Sequence, residues 1–220
     1  MKKMETKYTK NAGGECGDCN LCGNCGSLDC PEGKNMYTMI IYSENFAGIL
    51  NQITAVFTRR QVNIESLNVC ASSTPGVHQY TITCFCNEEM AIMLTKQIEK
   101  KIDVLQANYF TDDQIFILEA CLLKVSTSMM LNIKDVGRIV RIHGARIVEV
   151  NPTYSIIEKK GITADILSLF HQLDKLGVVL QFVRSGRIAV TKSCIEQLDR
   201  YLEERESQRC SVFLSLSTYP

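Results

Sequence analysis

The chain has 220 residues, 45% of them hydrophobic and 22% charged, enough apolar side chains for one core or two small ones. Lysine plus arginine and aspartate plus glutamate both number 24, so the net charge of zero lacks the basic excess of a nucleic-acid-binding or anionic-membrane-binding protein. No apolar run approaches the about 20 residues of a membrane span, and the polar N-terminus has no apolar signal stretch; a cytoplasmic location is therefore expected, with the eleven cysteines as thiols or metal ligands.

Residues 1–35 are polar and rich in Gly and Cys, without hydrophobic periodicity, and are expected to be disordered unless a metal orders them. Regular patterning begins at Met36. "YTMIIYS" (37–43) predicts a strand, and "NFAGILNQITAVFTRRQ" a helix with Leu50, Ile53, Val56 and Phe57 inward. "NIESLNVCASS" alternates, with Leu67, Val69 and Ala71 on one face. After the turn residues "STPG" (73–76), "VHQYTITCFC" alternates again, with Tyr80, Ile82, Cys84 and Cys86 together. "EEMAIMLTKQIEKK" predicts a helix with Ala91, Leu94 and Ile98 inward, and "IDVLQANYF" a closing strand. The order β-α-β-β-α-β is that of the ferredoxin-like unit.

The second half repeats it. "QIFILEACLLKV" (114–125) predicts a long strand, and "SMMLNIKDVGRIVRIHG" one helix with Ile133, Val136 and Val140 inward. "ARIVEVN" and "TYSIIEKK" form two strands turning at Asn151-Pro152. "ITADILSLFHQLDKLG" is a helix with Ile166, Leu169, Phe170 and Leu173 inward, and "VVLQFVRSGRIAVTK" a strand that either continues past Ser185-Gly186 or turns there. A charged helix and an apolar tail, "CSVFLSLS", follow. The expected fold is α+β, two ferredoxin-like βαββαβ units in tandem: a leader (1–35), a first domain (36–112), a second (113–192) and a C-terminal helix and tail (193–220). The short linker "TDD" (111–113) should hold the two units close.

Chemistry of the catalytic kind is hard to find. No phosphate-binding glycine motif is present, and His78, His143 and His171 adjoin no nucleophile signature. The acid pairs Glu88-Glu89 and Asp112-Asp113 sit at element starts, where a helix dipole or a solvated turn explains them. No nucleophile stands with its activator, which argues against an enzyme acting alone.

"SENFAGILNQI" (43–53) is more informative. A helix beginning here leaves N–H groups and partial positive charge for an anion such as an amino-acid carboxylate. Gly48 permits close approach, and Asn45 offers an amide that can cap the helix or bind a ligand. On these residues alone a capped helix with a packing glycine is a better explanation than a ligand site, and Asn63 in "NIESL" reads more simply as a turn residue.

"SENFAGIL", "QVNIESLNV", "IDVL", "CLLKV", "RIVEVNPTYSI" and "FVRSGRIAV", in this order, resemble the small regulatory subunits of acetolactate synthase (acetohydroxyacid synthase) over about 37–192. The resemblance implies an N-terminal ACT domain and a C-terminal ferredoxin-like domain. It also implies a homodimer formed edge to edge through the ACT domains, with valine bound at that interface. Asn45, Ala47 and Gly48 of one protomer would meet the carboxylate, while Asn63 of the other accepts from the ammonium and Ile64 supplies an apolar wall. The chain would activate a catalytic large subunit and confer feedback inhibition by valine in branched-chain amino-acid biosynthesis. Thiamine diphosphate, magnesium and FAD would belong to that large subunit, with no cofactor in this chain. Phe46, Ile49, Asn51 and Gln79 depart from the usual family pattern.

A second reading comes from "CGDCNLCGNCGSLDC" (16–30). Cys19, Cys22, Cys25 and Cys30-Pro31 are spaced C-x₂-C-x₂-C-x₄-C-P, one residue longer than a bacterial iron–sulfur run, with Cys16 in excess. Four thiolates also suit tetrahedral zinc. On this reading the chain is a metal- or redox-responsive protein with an amino-acid-sensing ACT domain. The remaining cysteines, Cys70, Cys84, Cys86 and Cys121, read as small hydrophobic residues.

Overall fold

The structure, a computed structural model, describes residues 34–193 and Leu198. The expected leader with its cysteine run and the C-terminal helix and tail lie outside the described residues. The elements are β1 (Asn35–Glu44), α1 (Ile49–Arg59), β2 (Ile64–Ala71), β3 (Val77–Cys86), α2 (Glu88–Glu99) and β4 (Val104–Phe110), then β5 (Ile115–Ser126), α3 (Thr127–Asn132), α4 (Lys134–Ile142), β6 (Arg146–Val150), β7 (Tyr154–Gly161), α5 (Thr163–Lys175) and β8 (Val179–Thr191). They form two four-stranded antiparallel sheets, ordered β2-β3-β1-β4 and β6-β7-β5-β8. The tandem ferredoxin-like arrangement expected from the patterning is therefore the observed one.

The apolar faces of α1 and α2 close over the first sheet. Ile53, Phe57, Leu94 and Ile98 meet Met39, Ile41, Tyr80 and Ile82, all at most 1% exposed. Each such burial contributes about 1.5–3 kcal/mol. Asn87 caps α2, its side chain accepting the Met90 N–H at 3.0 Å, while Glu88 and Glu89 occupy the first turn. In the second unit Leu123, Val125 and Ile157 pack against Val136, Val140, Ile166, Leu169 and Leu173, and Phe170 stacks on Phe182 at 4.4 Å. A smaller core lies between the units, where Ile40 meets Ile115 and Ala189. Both faces of β1 are thus covered, which is why its sequence reads as a nearly continuous apolar run.

Three local expectations are corrected. Leu50 is 39% exposed, and Ile49 takes the inward position, because α1 begins only at Gly48 and its stripe is set by Ile49, Ile53, Val56 and Phe57. Of the three β2 residues expected on one inward face only Leu67 packs against the core, as Ile64 also does; Val69 is 39% exposed and Ala71 is open, since β2 is the edge of its sheet. The single helix expected over 128–144 is two, α3 and α4, separated by Ile133 in extended conformation (φ −99°, ψ 102°). At Ser185-Gly186 β8 continues without turning, with a bulge against β5 and Gly186 at φ +78°.

Candidate functional site

The strand–helix junction after β1 is open and polar. Gly48 occupies the N-cap of α1 at φ +93°, and no side chain caps the helix, so the expected capping role of Asn45 is not the one observed. Asn45 donates its backbone N–H to Gly76 O at 3.0 Å, which ties the junction to the Thr74–Gly76 turn, and its side chain makes no hydrogen bond among the described residues. The N–H groups of Ala47, Gly48, Leu50 and Asn51 have no backbone acceptor among the described residues, whereas Ile49 N–H reaches Phe46 O. Asn45, Ala47 and Gly48 are all exposed. The junction therefore presents unpaired donors and the positive end of an eleven-residue helix to solvent, an arrangement that binds a carboxylate. Phe46 (57% exposed) and Leu50 place apolar surface beside those donors.

Asn63 and Ile64 are not part of this junction. Glu44 pairs with Val77 on β3, whereas Ile64 pairs with Cys84, seven residues further along. At about 3.3 Å per residue the two halves of the expected site lie about 23 Å apart within one chain. Asn63 is exposed and Ile64 half-buried at the start of β2. The end of β2 near Asn45 is instead its C-terminus, where Ala71 pairs with His78.

β2 also carries a bulge, with a register shift between Ile64 and Ser66 that leaves Glu65 outside the ladder. Ser66 shares a 2.6 Å hydrogen bond with Thr83. A polar network that the sequence alone did not reveal ties the second unit together. The Glu119 carboxylate, with no exposed side-chain surface, accepts from Arg184 Nε at 2.8 Å and Arg184 Nη2 at 2.9 Å, and from the Thr163 hydroxyl at 3.0 Å. Arg187 donates to Thr163 Oγ1 at 3.1 Å and to Asp112 Oδ1 at 3.2 Å. Asp112 is therefore an ion-pair partner anchoring the linker, rather than half of a solvated acid pair. The motif "VRSG" contained Arg184, but only a contact map supplies its partner 65 residues away.

Cys84 and Cys86 lie side by side in the first core with sulfurs 4.0 Å apart. The hydrogen bond shared with Cys86, and then burial, push the Cys84 thiol up, and the same hydrogen bond holds Cys86 below its ordinary value. Cys121 is buried and likewise pushed up, while Cys70 is exposed. No cluster of three or more His, Cys, Asp or Glu residues suited to a metal is present among the described residues, and Cys16, Cys19, Cys22, Cys25 and Cys30 lie outside them. Among the described residues no helix is long and apolar enough to cross a membrane.

Comparison with known proteins gives a consistent result. Residues 39–106 match the family profile described as the AHAS small subunit-like ACT domain, and residues 118–193 that of the small subunit of acetolactate synthase. The acetolactate synthase small subunit of Bacillus subtilis is 31% identical over 149 residues, covering 67% of this chain and 86% of the relative. A probable acetolactate synthase small subunit of Methanothermobacter thermautotrophicus is 28% identical, covering 68% and 88%. Among solved structures, the acetolactate synthase small subunit of Thermotoga maritima superposes with a TM-score of 0.66 at 21% identity, over 73% of this chain and 99% of that one, a likeness of fold.

Proposed function

The chain belongs to the acetolactate synthase small-subunit family, and on that premise we propose that it is the valine-responsive regulatory subunit of the enzyme. It works as a homodimer that activates the catalytic large subunit and transmits feedback inhibition by valine. The condensation chemistry, with its thiamine diphosphate, magnesium and FAD, belongs in this reading to the large subunit.

The observation that carries the reading is the divided site. The donors at Ala47–Gly48 and the residues Asn63 and Ile64 sit at opposite ends of β2. β2 is an edge strand, and Val69 on it is exposed. An antiparallel pairing of β2 with β2 of a second copy lays the start of one strand beside the end of the other. Asn63 and Ile64 of the second copy then stand next to Asn45–Gly48 of the first. The zwitterion fits the two halves: N–H groups for the carboxylate, the Asn63 amide oxygen for the ammonium, and Ile64 with Phe46 and Leu50 for a branched side chain.

Calorimetric titration of the full-length chain with valine tests the proposal. Saturable binding, weakened when Asn63 is changed to Ala, is the expected result. No heat of binding with valine, leucine or isoleucine refutes the effector role.

A further inference from the structure

Two bulges meet between the units. On β2 the register slips at Glu65, directly after Ile64; on β8 it slips at Ser185-Gly186. A Cβ built on Gly186 would stand 3.3 Å from Ser66 Cβ, closer than ordinary van der Waals contact, so the bare glycine backbone of β8 lies against the side chain that follows the β2 bulge.

Each bulge is fixed from its own side. Ser66 is hydrogen-bonded to the buried Thr83 of β3. The β8 bulge is held on both flanks: Arg184 clamps Glu119, Arg187 clamps Asp112 and Thr163, and Ser185 Oγ accepts the Ala120 N–H at 3.1 Å while donating to Gly186 O at 2.8 Å. A rigid β8 segment therefore lies along β2, and Gly186 against Ser66 is one point of that contact. That point lies two residues from Ile64 and three from Asn63.

We propose that the Ser66–Gly186 contact is the positioning element through which effector occupancy at Asn63–Ile64 reaches the C-terminal unit. This rests on the effector site proposed above. Seating a branched side chain against Ile64 displaces the β2 bulge, and β8 follows through the approach of Gly186 to Ser66, which leaves no room for a Cβ at its ordinary distance. The C-terminal unit, and with it the catalytic partner, responds through β8, β5 and the Glu119 network. Gly186 serves twice, since its left-handed φ shapes the bulge and its missing Cβ permits the approach.

The test separates binding from response. Gly186→Ala, Ser66→Gly and the double variant are prepared as full-length chains; valine affinity is measured by calorimetry, and valine inhibition is measured on the complex with the large subunit. Gly186→Ala is expected to bind valine within about twofold of wild type, yet to bring the coupling, about 5–150-fold in typical allosteric pairs, down to about twofold or less. Ser66→Gly in the same chain makes room for the new Cβ but leaves the strain of an alanine at φ +78°, and is expected to restore part of the inhibition. Full inhibition of folded Gly186→Ala overturns the proposal, as does loss of binding and inhibition together without rescue. Should Gly186→Ala not fold, Ser66→Val crowds the same contact from the β2 side and is judged by the same outcomes. A wild-type chain that binds no valine removes the effector site itself, and this proposal with it; a wild-type chain that binds while Gly186→Ala remains fully inhibited removes only the proposed contact.

Discussion

Gly48 combines a left-handed backbone, φ +93°, with open space where a Cβ would stand. Any L side chain there costs about 1–2 kcal/mol of backbone strain, and an aspartate adds a negative charge facing the carboxylate proposed to bind those N–H groups. Gly48→Asp is expected to leave the chain folded and activating but to abolish valine inhibition; retained inhibition in steady-state assays would place the effector elsewhere. Glu119 is a different case, an ionised group without exposed side-chain surface whose charge is balanced by Arg184, itself 36% exposed. Removing the partner of a fully buried charge costs about 3–5 kcal/mol. Here Thr163 still donates and Arg184 is partly solvated, so Arg184→Ala is expected to lower stability by about 2 kcal/mol. Urea unfolding checks this, with Glu119→Gln in the Arg184→Ala background regaining part of the loss. Equal midpoints for wild type and Arg184→Ala would show the pair to be without weight.

β2 is the element on which the proposed site depends, because it is an edge strand and because its two ends carry the two proposed half-sites. Val69→Arg places a charge on that edge, and in the proposed dimer like charges brought together across its axis oppose pairing. Light scattering should show the variant shifting to monomer and calorimetry should show valine binding at least about tenfold weaker, a loss of about 1.4 kcal/mol; a fully dimeric variant with unchanged affinity would contradict edge pairing. Alternation in "VHQYTITCFC" and the 3.6-residue stripe of "EEMAIMLTKQIEKK" made β3 and α2 legible, since each has one buried face and a regular period. The period of 128–144 did not reveal the break at Ile133, because its partly buried side chain keeps the apolar spacing intact while its backbone turns extended. Nor could alternation show that Val69 lies uncovered, since edge position is a property of strand order. Asn45 and Gly48 stand out from the strand–helix pattern, but their assignment with Asn63 and Ile64 to one site comes only from resemblance; the separation of the two pairs along β3 and the contact of Ser66 with Gly186 are facts of register that no single stretch encodes.

The two sheets stack through Ile40, Ile115 and Ala189, and the linker is pinned by Asp112 to Arg187. The units are therefore placed to move as coupled bodies, and a ligand that binds one arrangement better shifts the pair toward it, typically by 1–3 kcal/mol. In the proposed role that is enough to alter a partner enzyme several-fold. The cysteine run at 16–30 stands apart from this mechanism as the proposed Zn²⁺ or iron–sulfur site of the leader. Metal analysis of anaerobically purified full-length chain should then find iron or zinc that is lost when Cys19 and Cys22 are changed to Ser; metal-free protein retires that site and leaves the regulatory reading untouched. The regulatory reading itself meets its most direct test in acetolactate formation by the large subunit, expressed with and without this chain and assayed with and without valine. The rate should rise when the chain is present and fall again on adding valine; a rate indifferent to both would contradict the regulatory role.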